Sequence, residues 1–365
     1  MEHPVTIVQI ARESGVSIST VSRVLNGTAP VAQATRDRVN AVIARYHYTP
    51  NDLARSLINR RSMTLGVIMP DISNPYFSAM FREIEGAAWD AGYSVLLCNT
   101  AFSATGPSDA ARRETSYFQM MLGKNVDGVL IAGGQADLEE TGAPYRTALR
   151  RLAAAVPTVV LGSPIEDVDC LFFQRERGLG VFAAVSHLAS LGHRRIAFAG
   201  GEPGVGITSA RIRAYWEALE TLGLHRDRAL VSLSDYYTPD GCRAVRALLA
   251  GTAPFTALLA MNDNVALGAY RALADAGLRV PQDVSVVSCD QFYAADYMVP
   301  RLTSVDQHNE IFGRLIVQAL LDVIHGVPRE TLQAVQPELV VRESCAPPAP
   351  ASRWCGDDSC VKAPV

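Results

Sequence analysis

The 365-residue chain has no apolar run near the roughly 20 residues that span a bilayer. Its start, MEHPVTIVQIARE, lacks the basic flank and apolar core that direct export, so a cytoplasmic location is expected. Its seven cysteines (98, 170, 242, 289, 345, 355 and 360) form no CxxC pair and no disulfide framework. They read as reduced, mostly buried fillers. Cys355 and Cys360, in a Pro/Ala-rich tail, offer two thiolates and some carboxylates, too few good ligands for zinc. Catalytic signatures are missing as well: no GxGxxG follows an early strand, and there is no nucleophile elbow and no HExxH. The nearest approach is GEPGVGIT, from Gly201 to Thr208, which has the glycine spacing of a phosphate loop. Ile207 stands where that loop needs a lysine to reach the phosphates, so neither a nucleotide hydrolase nor a bound cofactor is expected. These absences exclude a membrane protein, a disulfide scaffold and the common enzyme classes.

What remains is a chain that is 48% hydrophobic and 19% charged, able to bury a large core and to divide into two or three domains. Its formal charge of −4 is unevenly spread. Up to Ser62 there are eight arginines against four acids, a net of +4, which leaves −8 for the rest. A short basic head on a long acidic body is the footprint of a nucleic-acid-binding head.

Thr6-Ile7-Val8-Gln9 has the form of a capping box, which starts a first helix running from about Ile7 to Ser14. Gly15 supplies a tight turn, and Ser17 is a natural N-cap for a second helix with Val21, Val24 and Leu25 facing inward. Two short helices joined by a glycine turn make a helix-turn-helix. Ile18, Ser19, Ser22 and Arg23 then fall on the opposite side and near the helix start, where a recognition helix meets base edges and phosphates. Thr6, Ser17 and Thr20 add hydroxyls for phosphate contact near helix starts, and Asn26 closes the set. A third helix, from about Gln33 to Tyr46, carries Val39, Val42 and Ile43 at helical spacing. Pro50 breaks the chain, and Asn51 to Leu57 has the length of two helical turns, too short to be stable alone in water.

Along the body, β-branched runs alternate with helical stretches: LGVIMP (65–70), YSVLLCN (93–99), DGVLIAG (127–133), PTVVLG (157–162), RIAFAGG (195–201), ALLAMND (257–263) and SVVSCD (285–290). They read as buried parallel strands of a doubly wound α/β architecture. Their number suits two lobes, with a ligand cleft near the strands' carboxyl ends.

The strings TIVQIARES-GVSISTVSRVLN, ATRDRV and YTPN-LARSL closely resemble the lactose/galactose-repressor (LacI/GalR) family of bacterial regulators. IMPDISNPYF, HLASLGHRRIAFAGG, NDNVALGAYRALADAGLRVPQDVSVV and PELVVRES extend the resemblance to about Ala346. It implies a helix-turn-helix head (1–49), a hinge helix and linker (50–62) and a two-lobed, periplasmic-binding-protein-like body (63–343). Lobe 1 is expected over about 63–163 and 295–326, lobe 2 over 164–294 and 327–343, and a disordered tail over 344–365. Asn51, Ala54, Arg55 and Leu57 occupy the hinge segment, and Leu57 stands where the family wedges a leucine into the minor groove. The implied function is an operator-binding regulator, most often a repressor, controlled by a small effector held between the lobes. A homodimer is expected because a two-fold operator needs a two-fold protein. The tail after Pro347 has no leucine heptads and gives no support for a tetramerising coil.

Carried over position by position, the effector residues implied are Tyr76, Phe77, Arg211, Tyr236, Asn262 and Asp290. Arg213 competes with Arg211, depending on where the register is set; the aromatics could equally be core, and Asp290 could cap a helix. Two departures stand out in the head. Ala32 replaces the usual serine N-cap before the third helix, and His47 replaces glycine or asparagine. In the pocket, the family's Asp-Asn stretch becomes Phe173-Gln174-Arg175-Glu176-Arg177-Gly178, and Gly-Phe-Asp-Asp becomes Ser288-Cys289-Asp290-Gln291. Gaining Arg175 while losing a carboxylate and an amide predicts an anionic effector, a sugar acid or sugar phosphate gripped by a guanidinium fork. Val205 and Ile207 at the positions used by the purine-responsive branch disfavour a purine.

Overall fold

The computed structural model describes residues 5–26, 29–48, 61–101, 107–173, 175, 178–327 and 335–349. Asn51, Ala54, Arg55 and Leu57 of the expected hinge helix, residues 174, 176 and 177, and Cys355 and Cys360 lie outside them. Backbone contacts divide the chain between Met63 and Thr64.

In the head, α1 (Ile7–Ser14), α2 (Ile18–Asn26) and α3 (Gln33–Tyr46) form the three expected helices. Thr6 caps α1, its hydroxyl accepting from Gln9 N at 3.4 Å. Gly15 ends α1 in the left-handed region, φ 65°, which lets the amides of Gly15 and Val16 reach the carbonyls of Arg12 and Ala11. Ser17 caps α2 by accepting from Thr20 N at 3.2 Å. Ile10, Ala11, Val21, Val24, Val39 and Val42 make the core, with Leu25 and Ile43 packed at its margin. Both departures show in α3. Ala32 at its N-cap makes no side-chain bond, and His47 at its C-cap holds φ 46°.

Two sheets build the body. The first has the order β2-β1-β3-β4-β5, all parallel, from β1 (Thr64–Met69), β2 (Ser94–Asn99), β3 (Gly128–Ala132), β4 (Thr158–Leu161) and β5 (Leu171–Phe173). The second has the order β11-β10-β9-β8-β6-β7, from β6 (Ile196–Ala199), β7 (Val231–Ser232), β8 (Ala257–Ala260), β9 (Ser285–Ser288), β10 (Thr303–Asp306) and β11 (Glu338–Val340). Only β11 runs antiparallel, against β10. The first sheet carries α4 (Pro75–Asp90), α5 (Pro107–Lys124), α6 (Ala143–Ala155) and α11 (Asn309–His325). Against the second pack α7 (Leu179–Ser190), α8 (Gly206–Thr221), α9 (Thr238–Ala250) and α10 (Asp263–Asp275). α9 and α10 approach closely because both carry glycine at the contact. A Cβ on Gly268 would sit 2.2 Å from Thr238 O, and one on Gly241 2.5 Å from Val265 O.

The sheets correct the expected lobe limits. β5 belongs to the first sheet, although 164–294 was assigned to lobe 2, and β10 belongs to the second, although 295–326 was assigned to lobe 1. The changes of lobe follow β5 and β10 instead of preceding them: the chain passes to the second lobe between β5 and α7, back to the first between β10 and α11, and to the second again between α11 and β11. The tail is corrected too. Ser344 is fully buried and donates to Val286 O at 2.6 Å, and Ala346 N donates to Ser285 Oγ at 3.0 Å, so the chain stays bound to β9 past residue 344. Among the described cysteines, Cys98 and Cys289 are buried and Cys170, Cys242 and Cys345 partly so, all as free thiols.

Candidate functional site

On α2 the expected split between faces is present. Val21 and Val24 are buried, whereas Ser17, Ile18, Ser19 and Arg23 are exposed and Thr20 and Ser22 half-exposed. Ile18 at 47% exposure is an apolar side chain left in water on a small domain. Ser17 Oγ lies 2.8 Å from both Ser19 Oγ and Thr20 Oγ1, so a cluster of hydroxyls surrounds the positive end of α2. Thr6 is also exposed, one residue before α1.

In the body, a single cleft at the carboxyl ends of the strands gathers the candidate effector residues. Tyr76, Phe77, Arg175, Arg211, Tyr236, Asn262 and Asp290 all line it. It encloses about 130 Å³, room for roughly ten water-sized positions and hence for a ligand of monosaccharide size. Asn74 caps α4, accepting from Tyr76 N at 3.0 Å, and Pro75 presets the first turn. Tyr76 and Phe77 are thereby fixed edge to face, 5.0 Å apart, on the cleft wall.

Arg211 comes from α8 and Asp290 from the end of β9. They form a buried two-point ion pair, Nη2–Oδ1 2.5 Å and Nη1–Oδ2 3.0 Å, while Met261 O and Cys289 O accept from the same guanidinium. Burial alone would lower the pKa of Arg211, but the carboxylate of Asp290 overrides it and holds the guanidinium above its ordinary range. Asp263, behind them at the start of α10, is pushed well above the usual carboxylate range by burial and by Asp290. Arg213, the competing register, is exposed and borders a different cavity beside Glu217. Asp290 thus pairs with an arginine instead of capping a helix. The helix cap is Asn262: its Oδ1 accepts from Val265 N at 2.9 Å, and its Nδ2 donates to Tyr236 O at 3.0 Å. Tyr236 in turn shares a 2.6 Å hydroxyl bond with Thr208.

Arg175 lines the cleft, but its fork is already engaged. Nη1 donates to Tyr76 OH at 3.0 Å and Asn309 Oδ1 at 2.7 Å, Nη2 donates to Gln307 O, and the guanidinium carbon lies 4.3 Å from the Phe312 ring centre. Gln307, Asn309 and Phe312 lie more than a hundred residues along the chain, and the sequence gives no sign that they meet Arg175.

Several lining residues were missed. Asp71 accepts from Tyr237 OH across the lobes at 2.5 Å, and Gly134, Asp137 and Gln307 complete the wall. Asp71 lies within the quoted IMPDISNPYF string and Tyr237 beside Tyr236, but neither periodicity nor spacing marks Asp137 or Gln307. Formally the lining holds three aspartates (71, 137, 290) against two arginines (175, 211). The first glycine of GEPGVGIT, Gly201, also finds an explanation, together with Gly200 just before it. Gly200 and Gly201 both hold φ 90°, and a Cβ there would strike Val265 or Met261, so they let the loop pass close over β8 and α10.

A helical head with a recognition surface and a two-lobed body closed around a small-molecule cleft define a ligand-responsive DNA-binding regulator. Residues 6–51 match the model of bacterial regulatory proteins of the lacI family, and residues 185–345 match a periplasmic binding protein-like domain. Over 343 residues, 94% of this chain and 98% of the relative, it is 32% identical to the HTH-type transcriptional regulator DegA of Bacillus subtilis. It is 33% identical over 328 residues, 90% of this chain and 94% of the relative, to the ribose operon repressor of Escherichia coli. The lac repressor dimer bound to operator and the anti-inducer ONPF superposes with a TM-score of 0.82 at 26% identity, covering 94% of this chain and all of that one. The chain belongs to the lacI family of bacterial regulatory proteins, as a transcription regulator and not an enzyme. Among the described residues no helix is long and apolar enough to cross a membrane.

Proposed function

We propose that the chain is a cytoplasmic, homodimeric transcriptional repressor whose operator affinity is set by a small polyhydroxylated, sugar-like ligand in the cleft. The observation that carries this reading is the convergence of all seven candidate effector residues on one cavity. Ser17, Ile18, Ser19, Thr20, Ser22, Arg23 and Asn26, with Thr6, are the head's DNA-contacting set, and Asn51, Ala54, Arg55 and Leu57 contact DNA from the hinge, Leu57 as the wedge in the minor groove. Homodimerisation follows from a two-fold operator and from the dimeric state of the lac repressor.

An uncharged ligand suits the cleft best. Arg211 is neutralised by Asp290, Arg175 is engaged by Tyr76, Gln307 and Asn309, and acids outnumber bases in the lining. Aromatic rings at 76, 77, 236 and 237 offer faces to the C–H surface of a sugar ring. The ribose operon repressor's name points to the same class. A second reading, an anionic sugar derivative, is favoured by one observation: Arg175 reaches the cleft wall. It requires the guanidinium to exchange Tyr76 or Asn309 for the ligand.

DNase footprinting of the full-length protein on the DNA upstream of its own gene tests the reading. A protected pseudo-palindrome that weakens or strengthens with a neutral sugar supports it. No protection at low salt would refute the regulator, and a response only to sugar acids or phosphates would establish the second reading.

A further inference from the structure

Arg175 occupies an unusual place. It lies on the first of the three segments that join the lobes, just after β5, and its partners lie on the second such segment and at the start of α11. Nη1 reaches Asn309 Oδ1 at 2.7 Å, Nη2 reaches Gln307 O, and the guanidinium lies over the Phe312 ring at 4.3 Å. The same Nη1 donates to Tyr76 OH in the cleft, 3.0 Å away. One side chain therefore ties two interlobe segments together and touches the ligand wall. Rotation of one lobe against the other turns about these segments, so a planar, charged fork spanning two of them resists that rotation.

We propose that Arg175 is a hinge clasp: it holds the lobes closed by binding the second crossover and senses the cleft through Tyr76. Its role is to position the lobes, and it acts whether or not a ligand is present. A ligand that takes the Tyr76 hydroxyl withdraws one of the clasp's acceptors, which makes Tyr76 the point where occupancy bears on lobe angle. This rests on the cleft being a ligand site but not on the ligand's charge.

The lobes carry their own reporter of closure. Leu138 in the first lobe bridges Val205 in the second, and Glu139 N donates to Gly204 O at 3.0 Å. Hydrogen exchange of the full-length protein, without DNA or ligand, reads this amide against those of β1 and β8 as internal controls. Arg175→Ala and Arg175→Lys, which remove the fork, are expected to speed exchange at Glu139 about tenfold, the scale of losing one charge-assisted hydrogen bond. β1 and β8 should keep their protection. Asn309→Ala, which removes the partner and leaves the cleft lining untouched, should do the same, whereas Asn309→Asp keeps an acceptor and should restore slow exchange. Wild-type exchange at Glu139 in both Arg175→Ala and Asn309→Ala would overturn the clasp. So would faster exchange in Arg175→Ala alone, because it would place the effect in the cleft. Neither outcome touches the operator reading, which footprinting tests separately.

Discussion

Removing Arg211 would leave Asp290 as an unpaired carboxylate in a nearly closed site, since the two side chains are only 5% and 10% exposed. Breaking such a pair from one side costs roughly 3–5 kcal/mol, most of it the penalty of a buried charge without a partner. Arg211→Ala is therefore expected to destabilise the body by that amount, and Asp290→Ala by a similar amount. With both gone, no charge is stranded, so the double variant should lose little more than either single one. The resulting coupling energy is about 3 kcal/mol. Urea unfolding of the four proteins, followed by far-ultraviolet circular dichroism, measures it from the shift in midpoint at constant slope. Losses that add to within about 0.5 kcal/mol would refute the reasoning. They would mean that Arg211 and Asp290 do not neutralise each other, and Arg211 would then be free to grip an anion.

The head should be easy to stabilise. Ala32→Ser restores the missing cap on α3, worth roughly 0.5–2 kcal/mol, and His47→Gly relieves a left-handed residue, worth about 1 kcal/mol. Thermal melts should rise for each and roughly add; a fall with His47→Gly would contradict the C-cap geometry. Glu114, buried on α5, accepts from Tyr145 OH at 2.6 Å and Gln135 N at 3.3 Å beside the cleft-lining Gly134 and Asp137. Burial pushes its carboxyl from 4.5 up to about 7, more than those two bonds hold it down. A raised acid favours the fold only while protonated. Its contribution is complete below the unfolded value and is lost as pH rises through about 7, a swing on the order of 3 kcal/mol. Melting temperatures between about pH 5 and 8 should show this decline, and Glu114→Gln should flatten it; a variant with the wild-type slope would place the titration elsewhere.

How far the sequence could be read differed between the two parts of the chain. The head was legible almost to the residue, because its signals are local: a hydroxyl cap at Thr6 and Ser17, a left-handed glycine at 15 and valines at helical spacing are all set by near neighbours. In the body, the seven strands were legible from their apolar runs: six are buried on both faces, and β2, at the edge of its sheet, is half-buried. Short β5 and β7 and the late β10 and β11 were not, because pairing partners far along the chain define them, not their own composition. The cleft shows the same division. Tyr76, Phe77, Arg211, Tyr236, Asn262 and Asp290 could be placed by motif, and they do converge. What each does there depends on contacts made in three dimensions. Asn262 turned out to be a cap, Asp290 an ion-pair partner, and Arg175 was already bound by Asn309 and Gln307 from another segment. A fork read from residue type alone looked free for an anion, and the fold had used it.

Fluorescence anisotropy of the full-length protein on its footprinted operator, with and without a saturating neutral sugar shown by thermal shift to bind, tests most directly whether the cleft controls the head. Ligand is expected to change operator Kd by roughly 5–150-fold, the range of ordinary allosteric coupling. The change should vanish in a variant whose cleft is filled by Val205→Trp. An operator Kd that stays the same while the sugar binds the cleft would contradict ligand control of DNA binding.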